Sequence, residues 1–126
     1  MAKHKVVVVD DDEVFLSELK TALETMGYDA TATKGGFAVI ELTRKIKPDV
    51  ILLDLKMEKV SGFQIARSLK QFPETSKVSI IAMTGHFIGS DRSAWVSMYG
   101  MEGLLPKPFS MDDAVKSMET AIKKHT

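Results

Sequence analysis

Three carboxylates, a hydroxyl and an ammonium stand where short apolar runs of this chain end: Asp10 and Asp11, Asp54, Thr84 and Lys107. Carboxylates drawn together repel one another and raise each other's pKa unless a cation relieves the conflict. A hard divalent ion does so through oxygen ligands. A carboxylate in such a site can also serve as a nucleophile, and a nearby lysine and threonine can stabilise negative charge developing on a transferred group. Singly, each residue has an ordinary reading. An aspartate ending a strand often caps the next turn or helix, the acidic run Asp10 to Glu13 would suit the positive end of a helix, Thr84 could cap a turn, and Lys107 could be a solvated charge. Only convergence of the five gives them a chemical role.

The elements that must position them are legible in the apolar pattern. Residues 5–9 include four consecutive valines, and 50–53 read Val-Ile-Leu-Leu; both suit strands buried on two faces. Residues 28–33, 78–83 and 103–106 are expected to be further strands. Phe15, Leu16, Leu19, Leu23 and Met26 recur at helical spacing until Gly27. Val39, Ile40, Thr43 and Ile46 predict a second helix ended by Lys47 and Pro48, and Ile65, Ala66, Leu69 and Phe72 a third after Gly62. A fourth is expected over 90–99, with Asp91 near its start, and Ala114, Val115, Met118 and Ile122 mark a closing one. Five alternations of strand and helix argue for an α/β domain with a parallel sheet covered on both faces, where ligands gather at the carboxyl ends of the strands.

Composition narrows the function classes. A chain of 126 residues suits a single domain, 1–126, with a core of its own. Seventeen basic and seventeen acidic residues cancel, so no global field attracts nucleic acid or an acidic membrane. Cysteine is absent, which removes thiol chemistry and disulfides and suits a reducing compartment. The apolar run after Lys5 is too short for a signal peptide or a membrane span, so a cytoplasmic location is the expectation.

With these residues in this order, the sequence resembles the receiver domain of bacterial response regulators. The resemblance is carried by Asp10-Asp11, by Asp54-Leu55-Lys56-Met57 with Gly62 beyond it, by Thr84-Gly85 and by Lys107-Pro108-Phe109, and it spans Lys5 to about Lys123. It implies a flavodoxin-like (βα)5 doubly wound sheet with strand order 2-1-3-4-5. It also implies that Asp54 accepts a phosphoryl group from a sensor histidine kinase or phosphotransfer protein. Asp10, Asp11, Asp54 and the backbone carbonyl of Lys56 are then expected to hold Mg2+ or Mn2+, and Thr84 and Lys107 to contact the phosphoryl oxygens. Such a domain is then not an enzyme but a regulatory phosphoacceptor that catalyses its own phosphorylation and dephosphorylation. A hydrolase with an aspartyl nucleophile on a related sheet would carry Asp-x-Asp after the first strand, and here the two aspartates are consecutive.

Several positions depart from the family pattern or modulate it. Glu58 stands where the family most often has proline, Lys56 and His86 occupy positions that govern access of hydrolytic water, and Leu104 replaces a switching aromatic. Trp95 and Tyr99 are candidate contacts for a downstream protein or output domain, on a face made by the expected fourth helix, the fifth strand and the closing helix; the rival expectation buries one of them in the core. The resemblance is compatible with a stand-alone receiver or one cut from a longer regulator, as a monomer or a phosphorylation-dependent dimer. No direct nucleic-acid contact is expected.

Overall fold

A computed structural model describes residues 3–57, 60–85 and 98–124. Glu58, His86 and Trp95 lie outside the described residues, as does nearly all of the helix expected over 90–99. In chain order the elements are β1 (Lys5–Val9), α1 (Glu13–Thr25), β2 (Asp29–Thr33), α2 (Ala38–Ile46), β3 (Val50–Asp54), α3 (Gly62–Gln71), β4 (Ser79–Thr84), β5 (Gly103–Pro106) and α4 (Met111–Lys124).

The five strands are parallel and ordered β2-β1-β3-β4-β5, the order the resemblance implies. Alternate residues of the central strands face opposite core layers, as the two-residue strand period requires. Val6, Val8, Val50, Leu52, Ile81 and Met83 pack with Leu16, Leu19 and Leu23 of α1 and Ala114 and Met118 of α4. Val7, Val9, Ile51, Leu53, Ile80 and Ala82 pack with Val39 and Ile40 of α2 and Ile65, Ala66 and Leu69 of α3. Burial on both faces explains why β1 and β3 read as unbroken apolar runs rather than alternating ones.

Register carries the chemistry to one edge. Val9 pairs with Leu53, so the next residue of each strand sets Asp10 beside Asp54. Asp54 pairs with Met83, one residue short of Thr84, and Thr84 pairs with Pro106, one residue short of Lys107. Thr84 lies inside β4 rather than just after it, because the Lys107 N–H donates to the Thr84 carbonyl at 2.6 Å and continues the ladder.

Helix ends keep to local chemistry. Asp12 caps α1, its Oδ1 accepting from the backbone N–H groups of Val14 and Phe15, and Gly27, just past the Met26 cap, takes φ +96°. The ordinary reading of the acidic run thus holds for Asp12 and Glu13 and fails for Asp10. Ser61 and Gln64 form a reciprocal capping box at the start of α3. Ser61→Ala is expected to lower unfolding free energy by about 1 kcal/mol in urea denaturation, because it strands one first-turn donor.

Candidate functional site: an acidic pocket at the strand ends

Asp10, Asp11 and Asp54 each offer a carboxylate oxygen within 4.8 Å of the others. Asp10 and Asp54 are almost fully buried, at 1% and 4% exposure, whereas Asp11 is exposed at the rim. The three carboxylates expected to meet therefore do so, brought together from the ends of β1 and β3.

The partners of Asp10 and Asp54 are explicit. Asp10 Oδ1 accepts from the Asp12 backbone N–H at 2.9 Å, and its Oδ2 accepts from Lys107 Nζ at 2.5 Å. Lys107 Nζ is also 3.8 Å from Asp54 Oδ1, and the Lys56 backbone N–H reaches that same oxygen at a long 3.4 Å. One ammonium thus serves two buried carboxylates and leans toward Asp10. The Asp54 carboxyl is pushed up to about 6, chiefly by burial and next by the negative charge of Asp10, against the opposing pull of Lys107 and the Lys56 N–H. Among the described residues three carboxylates share the Lys107 ammonium here, so once Asp54 ionises the pocket gathers more negative charge than that ammonium offsets. An all-oxygen donor set of this kind fits a hard divalent cation such as Mg2+, bound by carboxylates with water completing the shell.

Thr84 is buried at the end of β4, and Lys56 is exposed just past Asp54. Leu104 in β5 and Tyr99 before it are half-buried against the α2–α3 core layer. Tyr99 stacks on Phe63 of α3, with ring centroids 4.7 Å apart and a tilt of 51°, so this aromatic belongs in part to the core. One neighbour of the pocket was not evident in the sequence. Phe15, which periodicity assigns simply to the apolar stripe of α1, presents its ring face to Lys107 Nζ at 4.2 Å from the centroid. Its place on the first turn after the acidic loop is the only local hint.

Gly62 packs against the backbone that carries Asp54. A Cβ there would stand 2.2 Å from the Asp54 carbonyl oxygen and 2.8 Å from Leu55 Cα. Only glycine lets α3 begin this close to the segment that carries Asp54.

A family model described as the response regulator receiver domain matches residues 6–119. The polar-differentiation response regulator DivK of Brucella anthropi is 27% identical over 115 residues, covering 91% of this chain and 93% of DivK. The chemotaxis protein CheY4 of Vibrio cholerae superposes with a TM-score of 0.88 at 22% identity, covering 95% of this chain and 99% of CheY4. The receiver domain of sensor histidine kinase PA1611 from Pseudomonas aeruginosa, solved with a magnesium ion coordinated in its active-site cleft, has a TM-score of 0.86 at 24% identity, with 97% and 99% covered.

Proposed function

Since the chain belongs to the response regulator receiver family of two-component signalling, we propose that Asp54 is its phosphoacceptor, charged by the phosphohistidine of a sensor kinase or phosphotransfer protein. The observation that carries this reading is the meeting of Asp10, Asp11, Asp54 and Lys107 at one edge of the sheet. Asp54 attacks phosphorus through a carboxylate oxygen, an O–P bond forms, and the P–N bond breaks with its electron pair leaving on the imidazole nitrogen.

Catalysis here is positioning and charge. The strand register brings Asp54 beside Asp10, and burial of both carboxylates limits their hydration. Lys107 supplies a point charge that can turn from Asp10 toward a phosphoryl oxygen, and the Thr84 hydroxyl is the donor proposed for another. Asp11 and Asp54 would hold Mg2+ or Mn2+ directly, with Asp10 through water and the Lys56 carbonyl as a further ligand. When bound, that ion neutralises charge on the phosphoryl oxygens and on the carboxylates themselves. Hydrolysis of the aspartyl phosphate returns the free carboxylate, with Lys56, Glu58 and His86 the side chains proposed to set its lifetime.

The phosphorylated state is then read by a downstream protein or output domain. We assign that surface to β5, α4 and the segment 90–99, with Leu104 in place of a rotating aromatic, so that switching runs from Thr84 through that segment. Among the described residues no helix is long and apolar enough to cross a membrane. In Mg2+ with a small phosphodonor such as phosphoramidate, intact-mass spectrometry is expected to show one added phosphoryl group on the parent and none on Asp54→Asn. Labelling that survives the substitution would overturn the assignment.

A further inference from the structure

We propose that Phe15 is a positioning residue for Lys107, its ring holding the ammonium at the strand ends between Asp10 and Asp54. The inference rests on the reading of Asp54 as phosphoacceptor, but its geometry stands separately. Among the described residues, Lys107 Nζ lies 2.5 Å from Asp10 Oδ2, 3.8 Å from Asp54 Oδ1 and 4.2 Å from the Phe15 ring centroid. The third is within the range in which an aromatic face attracts a cation.

The ring is itself held. Phe15 lies on the first turn of α1, where its N–H donates to the Asp12 cap. Phe109, two residues past Lys107, packs against it at 6.0 Å between centroids and 86° between planes. The Lys107 backbone is tied to Thr84 at its other end. A four-carbon side chain is therefore fixed at its root by β4 and at its tip by an aromatic face.

That face does something the carboxylates cannot. Asp10 binds the ammonium strongly and by itself would keep it away from the reacting group. A ring attracts the charge without a directed hydrogen bond, so it leaves all three N–H groups available. It can hold the ammonium both on Asp10 and turned toward an oxygen on Asp54. The same short turn links the ring to the pocket floor, since Asp12 accepts from the Phe15 N–H and donates its own N–H to Asp10.

The test is a double-mutant cycle on the initial rate of phosphorylation by phosphoramidate in Mg2+. Phe15→Leu, which keeps the apolar bulk but not the ring, is expected to slow phosphorylation about tenfold, and Phe15→Tyr to stay within about twofold of the parent. In a Lys107→Ala background, Phe15→Leu is expected to change the rate by less than about twofold, because the group it positions is gone. Equal slowing in both backgrounds would show that Phe15 acts only as a core residue and would overturn the proposal. Carbon-detected NMR of the Lys107 ε-methylene supplies a readout that needs no turnover. Its protons are expected upfield from the ring current in the parent and in Phe15→Tyr, and at ordinary values in Phe15→Leu; ordinary values in the parent would overturn the contact. A parent that takes no phosphate yet shows the upfield signal would sink the acceptor reading and leave the ring contact standing.

Discussion

Gly62→Ala is expected to destabilise the domain by about 3 kcal/mol, the upper end of the usual cost of overpacking. The added methyl would meet the Asp54 carbonyl oxygen at 2.2 Å and Leu55 Cα at 2.8 Å. Both are backbone atoms, and Leu55 is fixed by its N–H to the Met83 carbonyl and by accepting from the Gly62 N–H. No rotamer change relieves such a contact, so either α3 moves out or the end of β3 does. The first opens the α2–α3 core layer, and the second displaces Asp54 from Asp10. Urea denaturation of the variant would measure the loss directly. A variant as stable as the parent would mean that α3 does not start against β3 as described.

Asp54→Asn is expected to do the reverse, stabilising the metal-free protein at pH 8. Asp54 has its carboxyl pushed up from 3.8 to about 6, so the folded state binds the proton more tightly than the unfolded chain. The stabilisation from that proton is complete below pH 3.8 and is lost as the pH rises through about 6. Above that, the ionised group costs the fold up to roughly 3 kcal/mol, a cost that the neutral amide avoids. Imperfect hydrogen bonding of the amide will take back part of it, leaving an expected gain of about 1–3 kcal/mol at pH 8 and almost none near pH 4. Added Mg2+ should raise the melting temperature of the parent at pH 8 more than that of the variant. A variant less stable than the parent at pH 8 without metal would contradict the crowding of charge in the pocket.

Much of this was legible in the sequence, for identifiable reasons. Buried parallel strands leave long apolar runs, so β1 and β3 stand out, and Asp10 and Asp54 are conspicuous because each breaks such a run. The resemblance then supplied the strand order, which sets those two ends side by side. What was hidden depends on contacts across long stretches of chain. Nothing local distinguishes Asp12, a helix cap, from Asp10, a buried member of the acidic pocket, since both sit in one acidic run. Nothing near Phe15 announces Lys107, which meets it only after α1 and β5 pack on the same sheet. Gly62 was visible as a spacing, but its necessity comes from how closely α3 approaches Asp54.

The identity of the acceptor is tested most directly by mapping the phosphate. The protein is phosphorylated in Mg2+ by phosphoramidate, the acyl phosphate is trapped by borohydride reduction, and the peptides are sequenced by mass spectrometry. Reduction is expected at Asp54 and nowhere else, converting it to homoserine, and to disappear when Mg2+ is chelated before the donor is added. Trapped product at Asp10 or Asp11, or an unmodified Asp54 in a protein that has taken up phosphate, would contradict it.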